Sequence, residues 1–203
     1  MDALDKTHLE AVLGVVQHIG ILGLKATGEF NTRQNALSLD KIFSPENLGD
    51  PERRRESLEK INSVESLLAA YQRIYADLFV QFSTETATAS MLLPEERRKE
   101  SIDSLIGTIQ KNLNEQAYFY SLRESWINRC RELIALMESE GVETDGSQLM
   151  FERKEGIATM ATITQEIDRV AAAESALAQL RVQRIQQGAN FLGVVIRRAL
   201  AIS

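Results

Sequence analysis

Two histidines are the first residues to test for chemistry, because long helical chains often house di-metal carboxylate sites. Such a site takes inward-facing glutamates from two helices and a Glu-x-x-His pair from each of two others. His8 is preceded three residues earlier by Asp5, and His18 by Val15. No histidine follows His18, so the pattern is absent and no metal ligand set is assigned. His18 lies in an apolar run and reads as a packed or edge side chain. The single cysteine, Cys130, excludes an internal disulfide framework and a cysteine zinc site. It lies on the helical line Trp126–Cys130–Leu133 and reads as a small buried hydrophobe.

Charged residues inside apolar stripes are the next candidates. Between Ala171 and Leu177 the last apolar stripe offers only Glu174 or Ser175, and Arg181 follows seven residues after Glu174 on the same face. A similar gap holds Arg123 and Glu124 between Tyr120 and Ile127. A buried pair among Glu174, Arg181 and Arg123 would act as a register device or a site. The competing expectation is a wetter middle with charges reaching to the edge. No glycine-rich loop or nucleophile accompanies them, so the chain is expected not to be an enzyme, with no catalytic residue, cofactor or metal assigned.

Four segments with helical spacing must position these residues: about 5–30, 51–90, 94–140 and 149–199, with a connection at 31–50. The connection is rich in Asn, Ser, Asp and Gly and is expected to hold a helical turn at Ala36–Phe43. Asp50-Pro51-Glu52 opens the second segment with a capping acid, a first-turn proline and an acid at the positive dipole end. Its seam is Ile61, Val64, Leu68, Tyr71, Tyr75, Leu78 and Phe82. The third segment opens at Pro94 and carries the seam Ile102, Ile106, Ile109, Leu113, Ala117, Tyr120. It then broadens to two lines, Trp126–Cys130–Leu133–Met137 and Ile127–Ile134, so it must touch two neighbours. Gly141 is placed for a C-cap before an acidic turn at 141–148. Pro51–Leu58 resembles Pro94–Ile102, which reads as two helices opening with the same chemistry.

The expected fold is all-α: a single domain over 1–203, an elongated antiparallel up-down-up-down four-helix bundle with long coiled-coil-like helices. With only 3 prolines, 11 glycines and 44% apolar residues, a turn-rich β-fold and disorder are excluded. In this topology Val12–Leu24 is expected to lie beside Ala189–Ile202. Both are apolar, and they supply the candidate interface: Val12, Val16, Ile19, Leu22, Leu192, Val195 and Ile196.

A net charge of −6 argues against nucleic acid as partner. Residues 175–203 hold four arginines and no acid, while residues 1–50 are acidic, so the two ends complement each other. The run Ala11–Leu24 is about fourteen residues, short of the ~20 that span a bilayer, and no leader is visible. The expected location is cytoplasmic, or periplasmic or secreted if a leader was removed. The expected function is non-enzymatic protein–protein interaction, as an adaptor, chaperone-like or toxin-neutralising bundle, with a protein partner or a homodimer. The alternative is a membrane-active bundle such as a pore-forming subunit.

Overall fold

The structure, a computed structural model, describes residues 3–200; side chains are described for 7–104, 106–181 and 183. The chain is all-α apart from one small hairpin. Helix α1 spans Ala3–Ala36, a 3₁₀ turn Leu39–Lys41, α2 Pro45–Gly49, α3 Pro51–Ser90 and α4 Glu95–Ser139. Strands β1 (Glu143–Thr144) and β2 (Leu149–Met150) precede α5, Lys154–Leu200. The four long helices α1, α3, α4 and α5 are the four expected segments.

Three boundaries move. The first helix does not stop near residue 30, because nothing in Asn31–Ala36 breaks it. It ends where Ser38 takes a left-handed backbone (φ 49°). The turn expected at Ala36–Phe43 is a 3₁₀ turn followed by α2, which Ser44 caps by accepting the Asn47 amide at 3.3 Å. The acidic turn is an antiparallel hairpin, pairing Glu143 with Met150 and Thr144 with Leu149, so α5 starts at Lys154 rather than 149. Asp145 holds the hairpin turn by accepting the Ser147 and Gln148 amides, each at 2.8 Å, and Gly146 takes φ 94°.

Helix ends follow their local chemistry. Asp50 Oδ1 accepts the Arg53 amide at 2.9 Å, with Pro51 at the first helical position. Pro94 makes no side-chain cap; instead Arg98 Nε folds back to donate to the Leu93 carbonyl at 3.1 Å. At the end of α4, Gly141 is left-handed (φ 59°), Val142 N–H reaches the Met137 carbonyl at 3.0 Å and Gly141 N–H the Glu138 carbonyl at 3.3 Å. That is a Schellman cap, and its hydrophobic partners Val142 and Met137 are both fully buried.

Among the described residues, α1 packs on α3, α3 on α4 and α4 on α5, while α2 wedges against α3, α4 and the hairpin. Registers follow from individual contacts. His8 Nδ1 lies 3.0 Å from the Ala89 carbonyl and Thr27 Oγ1 3.0 Å from Tyr71 Oη. Ser90 meets Ser101, and Arg131 meets Glu65. The expected neighbour of Val12–Leu24 was Ala189–Ile202, whose side chains lie outside the described ones.

The core gathers at one end. Ile61, Val64, Leu68 and Tyr71 of α3, the Trp126–Met137 line of α4, Ile167, Val170 and Leu177 of α5 and Phe30 of α1 bury together with Ile42 and Leu48 of the connection. The expected seams weaken beyond it. Tyr75, Leu78 and Phe82 are half-buried. In α4, Ile106 and Leu113 are about half exposed, so the expected Ile102–Tyr120 seam is not a buried seam. The reason is coverage: at the packed end α2 and the hairpin close a layer over α3 and α4.

Candidate functional site

Two places gather the expected residues. The first lies where α4 crosses α5. The Arg123 guanidinium donates to the Glu174 carboxylate, and both side chains are largely buried. Arg123 also lies over the Trp126 ring, 5.8 Å from its centroid, while its Nε is buried without a partner. Glu174 therefore pairs with Arg123 across the helix interface, not with Arg181 on its own helix. Seven residues along a helix is about 10 Å of rise, too far for a direct pair. Arg181 instead stacks on Phe119 at 5.5 Å and donates to the Glu115 carbonyl at 3.1 Å and Gln116 Oε1 at 2.9 Å. Gln116 passes the bond on to Tyr120 Oη at 2.9 Å.

Burial raises the Glu174 carboxyl above the ordinary glutamate value, and the opposing pull of Arg123 and then Arg181 does not cancel it. A cavity of about 240 Å³ adjoins the pair, lined by Arg123, Trp126, Ala171, Glu174, Ser175 and Ala178. It offers one shielded carboxyl already engaged by arginine and one serine hydroxyl, with no histidine among the lining residues. Its geometry is that of a desolvated interhelical link.

Cys130 is fully buried, and burial pushes its thiol up to about 12, which removes it as a nucleophile at neutral pH. His18 is exposed, and His8 contacts the Ala89 carbonyl.

The second place is α1. Its buried side, Ala26 and Phe30, faces α3, where Phe30 stacks on Tyr71 at 4.8 Å. Of the expected interface residues, Val12, Ile19 and Leu22 are half-buried and Val16 is 43% exposed. Leu192, Val195 and Ile196 lie outside the described side chains. The most exposed apolar residues of α1 are Ile21 (66%) and Leu24 (68%), which residue-type reasoning did not single out. The signal was present in the spacing: at 100° per residue Ile21 lies opposite Phe30. On length and composition α1 also differs from the expectation drawn from its uninterrupted run. Thr7–Ala36 is long and apolar enough to cross a membrane, and only 6% of its most apolar window is buried. Gln17, His18 and small residues do not interrupt such a stretch, although they interrupt a strict apolar run.

Arg54 was missed altogether. It is buried, and its guanidinium donates to the Leu48 carbonyl at 2.7 Å and the Val142 carbonyl at 3.0 Å. It thereby ties α2 and the end of α4 to the start of α3. The Pro51-x-x-Arg54 and Pro94-x-x-x-Arg98 stretches share this chemistry, since each arginine reaches a carbonyl of the chain just before its own helix.

Set against protein-family models, curated proteins and solved structures, the chain matches none.

Proposed function

We propose that this chain is a non-enzymatic protein–protein interaction protein, an adaptor, chaperone-like or toxin-neutralising helical bundle. In this reading it is one domain, an elongated antiparallel up-down-up-down bundle, and it binds a protein partner or itself through exposed helix faces. The cytoplasm is the proposed location. The observation that carries the reading is apolar exposure away from the core: Ile21, Leu24 and Val80 each remain two-thirds exposed. Large apolar side chains left in water on neighbouring helices favour association, which removes that surface from solvent.

Light scattering across a concentration series, with and without Ile21→Asp, tests it. The variant should keep the helical circular dichroism of the parent, because Ile21 is already exposed, and lose association with itself or with a captured partner. A parent that associates with nothing, and behaves as Ile21→Asp does, overturns the reading.

A second reading is a membrane-active bundle, favoured by the span-length apolar composition of Thr7–Ala36. Co-sedimentation with vesicles separates the two, since a protein interaction surface stays in the supernatant.

A further inference from the structure

We infer that the outward face of α1 binds a second copy of this chain, with the two α1 helices antiparallel and related by a two-fold axis between Gln17 and His18. The inference rests on the interaction reading above and names its partner.

The outward face is defined by what α1 buries. Counting 100° per residue, Glu10, Gly14, Ile21 and Lys25 cluster on the side opposite Phe30, and all four are exposed. Residues 11–24 carry no Asp, Glu, Lys or Arg, so this stretch has no charge to keep hydrated. A Cβ added at Gly14 meets nothing within 4 Å, which leaves the backbone open to close approach there.

Charge then chooses the occupant and its direction. The neutral run is flanked by Glu10 at one end and Lys25 at the other, and neither belongs to an ion pair among the described residues. Next outward the signs reverse, with Lys6 before Glu10 and Glu29 after Lys25. Reversing the helix about the point between Gln17 and His18 exchanges position 10 with position 25. Glu10 then meets Lys25 of the second copy. A two-fold axis makes every such contact twice. A parallel arrangement would instead set Glu10 against Glu10 and Lys25 against Lys25. A lipid surface fits less well. A helix lying on a membrane carries Lys or Arg along its margins, whereas acid and base alternate here, and the chain's net charge of −6 repels anionic headgroups.

The test uses the full chain in sedimentation equilibrium at low salt, as the parent, Glu10→Lys, Lys25→Glu, the double swap and an equimolar mixture of the two single variants. The parent should dimerise, to twice 22.7 kDa. Each single variant should dimerise roughly tenfold more weakly, since two attractions become two repulsions. The mixture and the double swap should both recover parental affinity, because each restores opposite charges across the axis. Both positions are exposed, so unchanged circular dichroism controls for folding. A parent that is monomeric at every soluble concentration overturns the inference, and if it also pellets with neutral phosphatidylcholine vesicles, lipid is what covers α1. A parental dimer that ignores the swaps but is lost with Ile21→Asp overturns this register and leaves the interaction reading standing. A dimer indifferent to both sets of variants removes α1 from the interface and overturns the inference.

Discussion

Along α3 one three-and-four spacing runs from Ile61 to Phe82, yet its two halves meet different fates. Ile61, Val64, Leu68 and Tyr71 are buried to 5% exposure or less, while Tyr75, Leu78 and Phe82 are only half-buried. The partner helix repeats the contrast: α4 buries Ile127, Cys130, Leu133 and Met137 but leaves Ile106 and Leu113 about half exposed. Both halves are helical and both are apolar at seam spacing. What differs is the third layer. At the packed end, Ile42 and Leu48 come down from the connection and Val142 from the turn before the hairpin, and Arg54 holds the Leu48 and Val142 carbonyls in place. At the far end no such layer covers α3 and α4 among the described residues. A helical seam marks which side chains can be buried, and burial itself needs neighbours on every side.

The sharpest probe of this contrast is the same substitution at both ends of one helix. Leu68→Ala should cost about 2–5 kcal/mol, the usual range for emptying a packed leucine site. Leu78→Ala should cost about 1 kcal/mol, because a half-buried side chain loses less transfer energy and leaves no closed cavity. Urea unfolding of both variants measures the difference, and equal costs would erase the distinction between the two ends.

Removing the clamp should come next. Arg54→Ala leaves the Leu48 and Val142 carbonyls without their donor in a buried place, at about 1–3 kcal/mol for each that water cannot reach. Amide exchange should then speed up in α2 and the hairpin before it does in the far half of α3. Uniform acceleration would mean that the arginine does not organise the third layer.

Gly49→Ala probes the same layer by overpacking it. A Cβ there would sit 2.4 Å from Thr144 Cβ and 2.9 Å from the Thr144 backbone nitrogen. The hairpin must move away from α2, at about 1–3 kcal/mol. An unchanged melting temperature would show that the hairpin docks loosely.

The smallest effect is expected at the junction of the two halves, the Arg123–Glu174 link. The folded-state Glu174 carboxyl titrates above its ordinary value of 4.5, because burial outweighs Arg123. Between those two values the folded protein keeps a proton that the unfolded chain has lost, so this group lowers stability as pH rises through the window and keeps it lower above. Glu174→Gln removes that dependence and keeps an amide oxygen to accept from Arg123, so it should change stability at neutral pH by about 1 kcal/mol, the worth of one hydrogen bond. The stability difference between variant and parent should grow in the variant's favour as pH rises from about 4.5, and a difference that shrinks with pH would show that the arginine pair dominates.

The legible part of this protein was what one helix can decide for itself. The caps at Asp50 and Gly141, the uninterrupted α3 and the two-sided α4 beyond Leu122 follow from residue types at fixed spacings, because helix formation and capping are local. The extension of α1 through Ala36 was missed because polar residues without glycine or proline carry no stop signal. The hairpin escaped for the opposite reason: two-residue strands are too short to show alternation.

Partners across helices were the illegible part. Spacing put Glu174 and Arg181 on one face, but only packing of α4 on α5 brought Arg123 to Glu174 and sent Arg181 to Gln116. Arg54 stands between Arg53 and Arg55 with nothing in the sequence to set it apart, and it is buried because α2 and the hairpin close over it. Ile106 and Ile134 are the same residue type at equivalent seam positions of one helix, and one is 52% exposed while the other is 3% exposed. By itself the sequence determined that these segments are helices, where α3 and α4 start and which side chains are apolar, since backbone hydrogen bonds and caps act within a few residues. The tertiary structure alone decided which apolar faces are covered and which charges meet, because desolvation depends on atoms brought in from distant parts of the chain.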